Sequence, residues 1–137
     1  MKFLTNVLFF MVFMQSAISG AADKSICNPD ASMTSFENGQ VESCDLLKLY
    51  ETGGLKCSAY SLITFHQNGN LASCVLYERY TADSIPCGDQ ATISFYPSGK
   101  LHTCTLDKDF TREGRKCIAA QPIMLYDDGR LRSCTEQ

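Results

Sequence analysis

Cys87-Gly88-Asp89-Gln90-Ala91-Thr92-Ile93-Ser94-Phe95-Tyr96-Pro97-Ser98-Gly99-Lys100-Leu101-His102-Thr103-Cys104 is the stretch whose reading decides the fold. Two runs of strand character flank Pro97-Ser98-Gly99, the pattern of a β-hairpin. Two registers compete. A two-residue type I′ turn would put Ser98-Gly99 at the tip and Ile93, Phe95 and Cys104 on one face. A three-residue turn, type I followed by Gly in the left-handed region, pairs Tyr96 with Lys100 and Phe95 with Leu101. The second is expected, because Pro97 suits the first central position of a type I turn. It gathers Ile93, Phe95 and Leu101 on one apolar face. It also sends Cys104 and Leu106 to the opposite face, where a disulfide and the link onward would cover them.

The hairpin recurs. Cysteines stand at 27, 44, 57, 74, 87, 104, 117 and 134, so both Cys series advance by 30 residues without an insertion. Other positions keep the same phase: Met33, Ile63, Ile93 and Ile123; Ser35, Phe65, Phe95 and Leu125; Gly39, Gly69, Gly99 and Gly129; Val41, Leu71, Leu101 and Leu131. A fixed period of this kind defines a repeat architecture. The units are 27–56, 57–86, 87–116 and 117–137. After each second Cys, Leu46–Tyr50, Leu76–Tyr80 and Leu106–Phe110 read as a short third strand or extended connector. It runs to a turn at Gly53-Gly54, Asp83-Ser84 and Glu113-Gly114. No stretch sustains a helical period. The expected fold is therefore all-β: four tandem hairpin repeats in an antiparallel sheet or a β-solenoid-like stack, stapled by disulfides.

The pairing of the cysteines has two symmetric solutions. One closes each unit: Cys27–Cys44, Cys57–Cys74, Cys87–Cys104 and Cys117–Cys134. The other bridges neighbours and strands Cys27 and Cys134 at opposite ends. The first is preferred because it alone satisfies every thiol. Zinc and redox sites want two Cys ~2–4 residues apart, and no such pair occurs.

Ahead of the repeats, residues 1–22 read as a secretory signal peptide. Lys2 precedes the apolar run Val7–Met14, and small residues at Ser19, Gly20, Ala21 and Ala22 permit cleavage before Ala22 or before Asp23. The run is about half the ~20 apolar residues of a spanning helix. The expected location is secreted or periplasmic, with no stable membrane insertion after cleavage, and an oxidising compartment is where disulfides persist. The remaining 23–137 form a single repeat domain. It carries 11 basic against 15 acidic residues, a net charge of -4. That balance argues against a nucleic-acid binder with a basic face.

Catalytic signals are sparse. His66 and His102 lie at different phases of different units. Asp127-Asp128 occupies the turn that Glu37-Asn38, Gln67-Asn68 and Pro97-Ser98 fill elsewhere, so turn chemistry accounts for it without a metal. No nucleophile elbow or phosphate-cradling loop occurs. No cofactor, no metal and no enzymatic activity are expected. Aromatic side chains recur instead: Phe36, His66, Tyr96 and Tyr126 form a candidate binding stripe for a protein or a glycan. Tyr50, Tyr80 and Phe110 form a second series, expected to pack between units. Ser35 and Glu136 stand where other units carry larger apolar residues, so the first and last units read as caps.

Residues 95–104, with counterparts at 65–74 and 125–134, resemble the MORN-variant hairpin repeats of bacterial proteins, whose core is aromatic-x-x-[Asn/Asp]-Gly-[Lys/Arg/Gln]-Leu-x-[Ser/Thr]. The resemblance implies tandem antiparallel hairpins in one elongated twisted sheet, serving as an interaction scaffold. This chain departs in lacking Trp, in its longer period and in carrying two Cys per unit. The expected role is a non-enzymatic structural or macromolecule-binding scaffold. The alternative is a small secreted effector or enzyme inhibitor that engages a protein target through its loops.

Overall fold

The structure is a computed structural model and describes residues 22–137. The expected signal peptide, bar Ala22, lies outside the described residues. After a 3-10 turn at Lys24–Ile26 the chain forms fourteen strands: β1 Met33–Ser35, β2 Val41–Asp45, β3 Tyr50–Thr52, β4 Leu55–Cys57, β5 Leu62–Phe65, β6 Leu71–Val75 and β7 Tyr80–Ala82; then β8 Ile85–Cys87, β9 Thr92–Phe95, β10 Leu101–Thr105, β11 Phe110–Arg112, β12 Arg115–Cys117, β13 Pro122–Leu125 and β14 Leu131–Cys134. Eight of them build one antiparallel sheet in the order β1-β2-β5-β6-β9-β10-β13-β14. The other six pair as β3–β4, β7–β8 and β11–β12. The third segment is thus a second hairpin, and the repeat carries two hairpins of unequal rank.

Each main hairpin turns as its residues require. Gly99 N–H donates to Tyr96 O, and Tyr96 N–H to Lys100 O. Gly99 sits at φ +87°, the left-handed position at which a side chain is costly. Phe95 pairs with Leu101 as expected. One step further the expectation fails. Thr103, not His102, opposes Ser94, because His102 bulges out of the ladder. The same one-residue bulge recurs in every unit, at Glu42, Ala72 and Arg132. It reverses the side-chain parity of everything that follows. Cys104 and Leu106 therefore lie on the core face and are buried. They do not face the opposite side.

The bulge lines up a core. Cys44 pairs with Ile63, Cys74 with Ile93 and Cys104 with Ile123 between units, while Met33 faces Cys44 and Ile123 faces Cys134 within them. Sulfur and isoleucine alternate across the sheet. Against this row pack Leu55, Ala82 and Ile85 from the small hairpins and the buried Leu46, Leu76 and Leu106. The small hairpins turn tightly, with positive φ at both Gly53 and Gly54, at Asp83 and Ser84, and at Glu113 and Gly114. Positive φ at both central residues defines the type I′ turn.

All four disulfides close within units, with Cα–Cα distances of 5.6–5.8 Å. Cys57, Cys87 and Cys117 each end a small hairpin, and their partners Cys74, Cys104 and Cys134 lie on the large sheet. Each bond thus clamps a hairpin onto the sheet. Cys27–Cys44 does the same for the segment after the 3-10 turn. No helix among the described residues is long and apolar enough to cross a membrane.

Candidate functional site

Among the described residues, the small hairpins and the buried core cover one face of the large sheet. The other carries a row of short hydroxyl side chains interrupted by one methionine, in ladder order Thr34, Ser43, Thr64, Ser73, Ser94, Thr103, Met124 and Ser133. Thr34 Oγ1 and Ser43 Oγ lie 2.7 Å apart, Thr64 Oγ1 and Ser73 Oγ 2.6 Å. Thr103 donates to Ile123 O at 2.8 Å. Cross-strand hydroxyl pairs of this kind add to sheet stability.

The aromatic series begins each turn beside this row. The structure places Phe36, His66, Tyr96 and Tyr126 at equivalent sites, but it uses them differently. His66 Nε2 donates to Phe95 O at 2.8 Å, and Tyr96 Oη donates to Leu125 O at 2.8 Å. A carbonyl can only accept, so this bond fixes the His66 tautomer. Each side chain reaches the backbone of the next unit, and both are half-buried. Tyr96 also lies 4.6 Å, centroid to centroid, from the bulged His102. Tyr126 is different. It is 44% exposed, and the Arg130 and Arg132 guanidinium groups stand 5.4 and 5.8 Å from its ring centre. Phe36 is half-buried. The stripe is therefore part latch and part free surface.

The turns are latched as well. Asn68 and Asn70 side-chain amides both donate to Pro97 O at 2.8 Å, and Ser98 Oγ donates to the Asp127 carboxylate. Within the last turn Arg130 pairs with Asp128 at 2.6 Å. Hydrogen bonds from the Arg130 backbone N–H and then its side chain hold the Asp128 carboxyl below the ordinary carboxylate value. At the hairpin side Lys56 pairs with Glu78 at 2.8 Å, a bond that raises its pKa.

The second aromatic series packs as expected. Tyr50, Tyr80 and Phe110 sit opposite Cys57, Cys87 and Cys117 in the small hairpins. Tyr50 meets Phe65 of the next unit edge-to-face, 6.1 Å between ring centres. The cap positions hold polar groups at both ends: Ser35 is exposed, and Glu136 pairs with Arg115 at 2.6 Å.

Other surface features escaped the sequence reading. Leu47, Tyr60, Leu62 and Tyr77 are exposed at the connector end of the first two units, Tyr60 by 75%. Their counterparts are Asp107; Gln90 and Ala120; Thr92 and Pro122. A cleft lined by Thr52, Asn70, Tyr80, Phe95 and Ser98 opens on the hairpin side. Both lie where the units differ, and a comparison of units at fixed phase was the available signal. Among the described residues no cluster of three metal-ligating side chains occurs.

The arrangement defines a class: a disulfide-stapled tandem β-hairpin protein with one clad face and one open face. No family model, no curated protein and no solved structure matches the chain.

Proposed function

We propose that the protein is a non-enzymatic scaffold, exported to an oxidising compartment, that binds a protein or a glycan with the open face of its large sheet. The observation that carries this reading is the division of labour between faces. Four disulfides and the small hairpins stabilise one side, leaving the other free along four units. The resemblance of residues 95–104 to MORN-variant hairpin repeats points to the same role. Tyr126 and its arginine neighbours, together with the hydroxyl row, supply amphipathic contacts of the kind enriched at interfaces. Capture of cell-envelope or culture components on the oxidised protein tests this. Combined Tyr96→Ala and Tyr126→Ala should weaken capture about tenfold or more, the scale of a binding hot spot. Tyr96→Phe, which removes only a bond between units, should not. Unchanged capture by the double variant removes the open-face reading.

A second reading, a small effector or inhibitor engaging a protein target, draws on Leu47, Tyr60, Leu62 and Tyr77. Exposed apolar side chains grouped at one end mark interaction sites more often than scattered ones do. For this reading Tyr60→Ser with Tyr77→Ser abolishes capture, and the Tyr126 substitution leaves it intact.

A further inference from the structure

The cleft on the hairpin side has a volume of about 330 Å³ and is walled by three successive units. Thr52 and Leu55 come from the first small hairpin, Asn70 and Leu71 from the second main hairpin, and Tyr80, Phe95, Ser98 and Gly99 from beyond it. Its floor is apolar and aromatic: Leu55 is buried, and Leu71, Tyr80 and Phe95 are half-buried. Its rim is hydroxyl and amide, and no charged side chain lines it. The rim is also held in place. The Asn70 amide is fixed by its bond to Pro97 O and the Ser98 hydroxyl by its bond to Asp127.

The next unit shows what this cleft has been spared. One period on, Thr52 gives way to Ala82, Asn70 to Lys100 and Ser98 to Asp128, and two periods on the Thr52 position holds Arg112. Arg112 reaches across to donate to Gly129 O at 2.8 Å, and Glu113 Oε2 accepts from Leu131 N at 2.5 Å. In the third small hairpin an arginine and a glutamate thus bridge to the neighbouring turn, whereas Thr52 and Gly53 at the same positions of the first make no such bridge and leave this cleft neutral and open.

We infer that the open cleft binds a neutral sugar residue. A pyranose presents apolar C–H faces and a polar hydroxyl edge. The Tyr80–Phe95–Leu71 floor suits the first, and the Thr52, Asn70 and Ser98 rim suits the second. The volume lies at the small end of small-molecule sites. An acidic sugar would meet no cation here, and a purely apolar ligand would leave the rim groups unmatched, which costs affinity. The site lies on the face opposite the aromatic stripe, so it stands apart from the macromolecular reading.

The test is an amide NMR titration of the intact, oxidised protein with glucose, cellobiose, maltose, lactose and N,N′-diacetylchitobiose. Saturable shifts are expected at Thr52, Gly53, Asn70, Leu71, Tyr80, Phe95, Ser98 and Gly99 with at least one of them. Rising affinity from glucose to a disaccharide identifies a glycan chain as the source. Equal affinity identifies a free sugar. Thr52→Arg and Ser98→Arg, both at exposed positions on the cleft wall, should each fill the cleft and weaken binding about tenfold or more. Three results overturn the proposal: no shift with any saccharide, shifts centred on Tyr126 instead, or shifts with indole and with no sugar.

Discussion

At the scale of single residues, backbone conformation separates glycines that look alike in the sequence. Gly99 stands at φ +87° with open space where a Cβ would project. Its requirement is conformational alone, so Gly99→Ala should cost ~1–2 kcal/mol, the left-handed penalty. Gly88 lies outside the left-handed region, and a Cβ there would meet Asp107 and Thr105 at 3.6 Å, an ordinary contact. Gly88→Ala should therefore be neutral or slightly stabilising through the unfolded chain. Chemical denaturation of both variants checks the contrast. The repeat foretold it, since Gly99 has a counterpart in every unit and Gly88 has none. The Asp128 carboxyl offers a second measurement at this scale. Arg130 lowers its folded pKa, by backbone and then side-chain hydrogen bonds, so its contribution to stability is complete above the ordinary carboxylate range. It fades as pH falls through the lowered folded value. An NMR titration should give Asp128 a midpoint below that of an unstructured aspartate. The advantage of the native protein over Asp128→Asn should disappear on acidification.

Elements show where sequence patterning stops being enough. Cysteine spacing and the turn residues were legible, and so was the pairing of Phe95 with Leu101. The bulge at His102 was not, because Leu101-His102-Thr103 contains no Gly or Pro to announce it. Each competing register proved half right. The three-residue turn forms, yet Cys104 shares a face with Ile93, as only the two-residue turn would have allowed without a bulge. One unpaired residue reconciles the two, and burial of the disulfide selects it. The second hairpin was half-visible, because Asp83, Ser84 and Glu113 stand at positive φ, where non-glycine residues are uncommon. The clamp then completes what the turn begins. An isolated two-stranded hairpin is marginal in water, and β7–β8 has no third strand. Joining its end Cys87 to Cys104 closes a loop with a sequence separation of 17. Replacing both by Ala should destabilise the protein by ~3 kcal/mol, by the loop-closure estimate. Thermal melts of that variant against the native protein measure it. The melting curve of fully reduced protein should fall further still.

For the whole molecule, the order of strands limits how far any change can travel. Each unit meets its neighbour in the large sheet through β2–β5, β6–β9 or β10–β13, and through connector hydrogen bonds, ion pairs and side-chain latches beside them. In such a one-dimensional array, stability is a sum of unit terms and nearest-neighbour terms. The cleft and the exposed Leu47–Tyr77 group were hard to read in the sequence for a related reason. Function in a repeat resides in departures from the period, whereas the period is what reveals the fold. The latches make the array testable. Tyr96→Phe deletes one hydrogen bond, that from Oη to Leu125 O, and keeps the ring against His102. The loss of about 1 kcal/mol corresponds to roughly fivefold faster exchange in whatever opens without global unfolding. If the units act as neighbours in a row, hydrogen exchange followed by mass spectrometry should show that loss in β13 and β14. The strands β1 to β6, two junctions away, should keep their protection. The His66 latch supplies the control, because His66→Ala should move the weakened zone one unit toward β9 and β10. Equal loss in every strand of both variants would instead mean that the four clamps fuse the units into one cooperative body. The open face would then be a single rigid surface presented to its partner, not a chain of hinged segments.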